Sequence, residues 1–127
     1  MARLLIAEDE QPVRELLMRA LTVEGHEVQA AADGAAALEV LSSAGPFDLL
    51  LTDIRMPIMD GIALALVAAR DYPGLVIVLM TGYAGERERA HGLDRLVHDV
   101  VLKPFSLAVM KQTLAKALAG RPTALAS

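Results

Sequence analysis

DLLLTDIRMPIMDG, residues 48–61, drives a charge toward the interior. Three leucines and a threonine lead to Asp53, and Pro57, Asp60 and Gly61 then break the chain away. So apolar a run, bounded by turn residues, reads as a strand covered on both faces. A carboxylate at its end is costly to bury unless something pairs with it. The question the sequence poses is what pairs with Asp53.

Similar runs flank this one. RLLIA (3–7), EVQAA (27–31), DLLLT (48–52), LVIVLM (75–80) and HDVVL (98–102) read as five strands. Between them apolar residues recur at helical spacing: Val13, Leu16, Leu17, Ala20 and Leu21; Ala37, Leu38 and Leu41; Leu64, Ala65 and Ala68; Leu107, Met110, Leu114 and Leu118. Gly25 and Gly45 sit where helices should stop, and Pro12, Pro46, Pro73 and Pro104 mark element ends. The stretch 84–95, AGERERAHGLDR, is mostly charged and is expected to form the least stable helix. Strict alternation of strand and helix with short links implies an α/β fold, a doubly wound five-stranded parallel sheet with flanking helices.

The 127 residues suit one domain, read as 1–119 followed by a short tail at 120–127. A net charge of −4 without a basic run argues against nucleic acid and anionic membrane as direct partners. With no cysteine there is no disulfide, thiolate catalysis or zinc knuckle, which suits a reducing compartment. The start, MARLLIAEDE, is too short for a signal segment, and IALALVAA (62–69) falls far below the roughly 20 residues that span a bilayer. A cytoplasmic protein is expected. His26, His91 and His98 show no metal-binding spacing and read as surface or boundary residues.

In a doubly wound sheet, ligands gather at the carboxyl ends of the strands. Glu8 and Asp9 end the first strand, Asp53 the third, Thr81 the fourth, and Lys103, followed by Pro104, the fifth. Singly, each has an ordinary explanation: helix caps, a turn hydroxyl, a solvated lysine. Three acids, a hydroxyl and a lysine on one sheet edge are improbable by chance. Carboxylates 4 Å apart repel by about 4 kcal/mol per pair at an effective dielectric near 20. A hard dication with oxygen ligands and retained waters, Mg²⁺ more than Ca²⁺, is the natural companion. With Mg²⁺ and Lys103 the formal charge of the site sums to zero. Such a site suits phosphoryl transfer onto Asp53 as a carboxylate nucleophile, with Lys103 and Thr81 receiving phosphoryl oxygens.

At these residues the chain resembles the receiver domain of two-component response regulators. AED (7–9), LLLTDIRMPIMDG (49–61), LMTGYA (79–84) and LKPF (102–105) match in order over essentially the whole chain. The resemblance implies a flavodoxin-like (βα)5 fold with strand order 2-1-3-4-5. It makes Asp53 the phosphoacceptor, Asp9 a direct Mg²⁺ ligand, Glu8 a ligand through water, and Arg55 the donor of a backbone carbonyl to the metal. Thr81 becomes the switch hydroxyl and Lys103 the phosphoryl-binding lysine. Pro57 and Gly61 shape the loop after the acceptor, and the Lys103–Pro104 bond is of a kind often cis. A histidine kinase or histidine phosphotransferase is the implied phosphoryl donor. The chain is then a phosphoacceptor and not a classical enzyme, limited to its own phosphorylation and dephosphorylation.

Receivers usually carry Tyr or Phe three residues before the lysine, and here that position is Val100. Tyr83, two residues after Thr81, is the aromatic placed to substitute. Its ordinary explanation is an exposed loop tyrosine. Arg55 and Tyr83, both bulky, are expected to flank the path of attacking water and to slow self-dephosphorylation. With the aromatic half of the switch missing, the signal is expected to emerge through the loop and helix from Gly82 to Leu93. A downstream protein would bind within residues 82–119. No output domain is expected after GRPTALAS. The chain is also similar to stand-alone receivers that act as adaptors in regulated bacterial proteolysis. TALAS (123–127) resembles carboxyl-terminal signals read by unfoldase proteases, against the plain reading of a featureless tail. A haloacid-dehalogenase-type phosphatase would want an acid at position 55, where arginine stands, and there is no Gly-rich phosphate loop. The remaining alternative is a constitutive binding module on a receiver fold that is never phosphorylated in the cell.

Overall fold

A computed structural model describes residues 2–93 and 95–120. Five strands alternate with five helices: β1 (Arg3–Ala7), α1 (Gln11–Val23), β2 (Glu27–Ala31), α2 (Gly34–Ala44), β3 (Leu49–Asp53), α3 (Gly61–Asp71), β4 (Val76–Thr81), α4 (Ala84–His91), β5 (Asp99–Leu102) and α5 (Leu107–Ala119). The strands form one sheet in the order β2-β1-β3-β4-β5, and every pairing is parallel. Order reverses between β1 and β3, so the crevice at the carboxyl ends of these strands is the natural binding position.

Side chains alternate between two cores. Leu4, Ile6, Leu49, Leu51, Val76, Val78, Met80 and Val101 pack with Leu17 and Leu21 of α1 and Met110 and Leu114 of α5. Leu5, Ala7, Leu50, Ile77 and Leu79 face the other way, against Ala37 and Leu41 of α2, Leu64, Ala65 and Ala68 of α3, and Ala90 of α4. Both faces of the central strands are thus covered, the reason β3 and β4 read as continuous apolar runs. Each fully buried leucine or isoleucine contributes about 1.5–3 kcal/mol.

Local chemistry sets the ends of the helices. Asp33, Asp60 and Ser106 accept the N–H groups of Ala36, Ala63 and Val109 at 2.7, 2.8 and 3.0 Å, capping α2, α3 and α5. Pro12 stands in the first turn of α1, and Gly25 follows that helix with φ +96°. The third and fourth strands are each shifted one residue along the chain from the sequence reading, and the fifth begins one residue later. The expected helix over 84–95 closes at His91, where Gly92 caps it, and the chain turns through Leu93 N–H to Ala90 O and Val97 N–H to Leu93 O. The Lys103–Pro104 bond is cis, and so is Gly45–Pro46. Among the described residues no helix is long and apolar enough to cross a membrane. TALAS and the rest of the tail beyond Gly120 lie outside the described residues.

Candidate functional site

Alternation along the strands decides which polar side chains meet. Asp53 follows Leu49 and Leu51 in step. Glu8 lies one residue past β1 in step with Leu4 and Ile6, and Lys103 one residue past β5 in step with Val101. The ladder holds both in place: Glu8 N–H donates to Ala31 O at 3.1 Å, and Lys103 N–H to Thr81 O at 2.7 Å. All three side chains therefore leave the sheet on one face and converge. Lys103 Nζ donates to Glu8 Oε1 at 2.6 Å and to Asp53 Oδ2 at 2.7 Å.

Asp9 completes the group from the loop after β1. Glu8, Asp9 and Asp53 each offer a carboxylate oxygen within 4.8 Å of the others. Glu8 is fully buried, Asp53 is 6% exposed, and Asp9 is open to solvent. Burial pushes the Glu8 carboxyl up to about 7, against the pull of its hydrogen bonds from Lys103 and the Glu10 N–H. The Lys103 ammonium is held above its usual range by hydrogen bonds to Asp53 and Glu8, which outweigh the largest opposing influence, its own burial. One ammonium among three carboxylates leaves the site short of positive charge. An all-oxygen donor set with an exposed member fits a hard dication that keeps part of its water.

The helix-cap explanation for Glu8 fails here. Its Oε2 accepts the Glu10 N–H at 3.2 Å, outside the first turn of α1, and its other oxygen goes to Lys103. A cavity of about 450 Å³ opens over Asp53, lined also by Asp9, Glu10, Arg55, Gly82, Tyr83 and Lys103. Arg55 and Tyr83 thus stand together beside the candidate acceptor, the guanidinium 3.7 Å from the ring centroid.

Gly61 shapes the loop after β3. Its N–H donates to Ile54 O at 2.7 Å, and a Cβ there would lie 2.0 Å from the carbonyl oxygen of Asp53. Pro57 accepts the Met59 N–H at 2.7 Å across Ile58, which adopts φ +71°.

Thr81 belongs to the other face of the sheet, in step with Ile77 and Leu79. Its hydroxyl donates to Glu86 Oε1 at 2.7 Å and accepts the Tyr83 N–H at 3.0 Å. Glu86 Oε2 takes Arg55 Nε at 2.7 Å. Sequence reasoning missed Glu86, which lies in the charged stretch read as the least stable helix. Its available signal was the pair Glu86 and Ala90, four apart, which are the buried residues among the described side chains of α4. Val100 is half-buried, paired with Leu79 across the ladder, and packs against the α2–α4 core.

The response regulator receiver domain family model matches residues 4–115, and the chain belongs to that family. Response regulator MprA of Mycobacterium ulcerans is 37% identical over 105 residues, which are 83% of this chain and 45% of that protein. The chain thus spans less than half the length of the curated relatives it matches. Among solved structures, response regulator TrrA of Thermotoga maritima, in complex with Mg²⁺–BeF, is 31% identical with a TM-score of 0.83, over 92% of this chain and 99% of that one. A CheY-like receiver domain protein of Methanospirillum hungatei is 27% identical with a TM-score of 0.87, over 94% of each chain. The protein is a receiver domain of a response regulator in two-component signalling, a class of signalling phosphoacceptors.

Proposed function

We propose that Asp53 accepts a phosphoryl group from a histidine kinase or histidine phosphotransferase, and that this switches protein binding by the receiver unit at 1–119. The observation that carries the reading is the convergence of Glu8, Asp53 and Lys103, with Asp9 beside them, at an open cavity that Asp9, Asp53 and Lys103 line. TrrA, solved with Mg²⁺ and a phosphoryl mimic, supports it.

Asp9 and Asp53 would hold Mg²⁺ directly, with Glu8 through water and the Arg55 backbone carbonyl as a further ligand. When bound, the ion supplies charge neutralisation for the phosphoryl oxygens. An Asp53 oxygen attacks phosphorus in line. The new P–O bond forms as the P–N bond of the donor phosphohistidine breaks, and the leaving imidazole keeps the bonding pair and takes up a proton. Lys103, already donating to Asp53 Oδ2, exchanges that acceptor for a phosphoryl oxygen, and the Thr81 hydroxyl takes another. The acyl phosphate adds about one negative charge at pH 7 and new acceptor oxygens.

The output then passes from Thr81 into α4, whose buried side is small. A groove between α4 and α5, lined by Arg87, Val100, Leu102, Phe105 and Val109 among others, offers a downstream protein a place to bind. Hydrogen exchange with and without beryllofluoride and Mg²⁺ tests this: protection changes should concentrate in residues 82–95. Changes confined to α1 and α2, or none beyond the Asp53 loop, would place the output elsewhere. No response to beryllofluoride at all would favour the constitutive binding module.

Arg55 and Tyr83 supply a second test. Stacked over the cavity, they obstruct water bound for the acyl phosphate. The double replacement Arg55→Asn, Tyr83→Ala should shorten its half-life about fivefold, equivalent to roughly 1 kcal/mol of barrier. A half-life that holds or lengthens in both single variants would remove the argument.

A further inference from the structure

Thr81 has one hydroxyl proton, and it is already given away. We propose that Glu86 is a positioning residue, a latch that holds the Thr81 hydroxyl toward α4 until a phosphoryl group on Asp53 competes for it. The inference rests on the reading of Asp53 as phosphoacceptor given above.

A hydroxyl donates once. The Thr81 hydroxyl oxygen lies 2.7 Å from Glu86 Oε1, and with Glu86 only 8% exposed the proton between them sits in a charge-assisted bond sheltered from water. The Tyr83 N–H, donating to the same hydroxyl oxygen at 3.0 Å, turns the proton further toward Glu86. The latch is itself anchored. Glu86 Oε2 is taken by Arg55 Nε at 2.7 Å, and Arg55 is braced against the Tyr83 ring. The loop that follows the acceptor strand thereby fixes the carboxylate that holds the switch hydroxyl.

Strand alternation makes the competition mutually exclusive. Asp53 and Lys103 leave the sheet toward α1 and α5, whereas Thr81 leaves it toward α4. To reach a phosphoryl oxygen the hydroxyl must abandon Glu86. Among the described side chains of α4 only Glu86 and Ala90 are buried, so release loosens one of the two described anchors. Val100 carries no hydroxyl or ring to take over that duty. The same bond that restrains the switch therefore reports its change to α4.

Beryllofluoride with Mg²⁺, titrated against the backbone amide resonance of Asp53 in NMR spectra, is the test. Glu86→Ala should bind the mimic about tenfold more tightly than wild type, because no charged hydrogen bond has to be surrendered. In a Thr81→Val background the same substitution should bring no gain. In metal-free protein, Glu86→Ala should already show the hydrogen exchange of residues 84–91 seen in beryllofluoride-bound wild type. Unchanged or weaker binding, a gain that persists without the Thr81 hydroxyl, or a lower melting temperature as the sole effect would overturn the latch. Wild type that binds no beryllofluoride would sink the acceptor reading and the latch with it, an outcome distinct from failure of the latch alone. If Glu86→Ala does not fold, Glu86→Gln carries the comparison in both backgrounds, with a smaller gain expected because a neutral acceptor remains.

Discussion

Incubated with acetyl phosphate and Mg²⁺, the protein is expected to gain the mass of one phosphate, and the Asp53→Asn variant to gain none. Three carboxylates share the site, yet only one is placed to react. Glu8 is fully buried, with its oxygens committed to Lys103 and the Glu10 N–H. Asp9 is exposed and lies outside the lysine's hold. Asp53 stands at the floor of the cavity with one oxygen fixed by Lys103 at 2.7 Å, so its carboxylate is oriented before any donor arrives. Amide replacement removes the nucleophilic charge and keeps the shape, and the expected loss is complete. EDTA should abolish the gain in wild type, since the oxygen cluster without a dication repels an incoming phosphate. Modification at another residue, or one indifferent to EDTA, would refute the mechanism.

Gly61→Ala is expected to be the most damaging small substitution in the chain. A Cβ there would stand 2.0 Å from the Asp53 carbonyl oxygen and 2.8 Å from its carbon. Both are backbone atoms of the acceptor residue, with no flexible side-chain end to swing aside. Moving them opens the Gly61 N–H to Ile54 O bond and shifts the very strand end that carries Asp53. Overpacking against rigid backbone costs roughly 3 kcal/mol, which for a domain of this size lowers the melting temperature by about 10 °C. Phosphoryl acceptance should fall with it. Gly74→Ala serves as control, since nothing lies within 4 Å of the added carbon. Equal melting temperatures for the two variants would show that the loop accommodates a side chain by a route the present geometry does not offer.

Fold and site were legible in the sequence to different depths. The sheet was readable because β3 and β4 are buried on both faces, which forces uninterrupted apolar runs. The acidic group was readable because each of its members ends a strand, where topology alone brings strand ends together. Glu86 was not readable. Its partners, Thr81 and Arg55, stand five and 31 residues away, and it sits in GERER, where a carboxylate on the solvent side looks no different from one on the buried side. Composition in that stretch predicted a poorly anchored helix, and the anchor turned out to be one of the charges. Its early end has an equally local cause, since Gly92 follows directly and the few apolar residues beyond it, Leu93, Leu96 and Val97, serve a turn.

The alternation of β4 has an implication for how the protein tolerates change. A one-residue insertion in that strand would bring Met80, a thioether with no proton to give, to the place of Thr81, and a one-residue deletion would bring Gly82 there and turn the hydroxyl inward among the leucines of the opposite layer. Single-residue insertions and deletions anywhere between Val76 and Thr81 are therefore expected to silence the proposed switch even where the sheet survives them. On the proposed function, substitutions should sort by layer instead: those under α1 and α5 are expected to alter how readily a phosphoryl group is taken up, and those under α2 to α4 how loudly its arrival is announced. On that reading, sensitivity and volume can be tuned separately, without touching the acidic group itself.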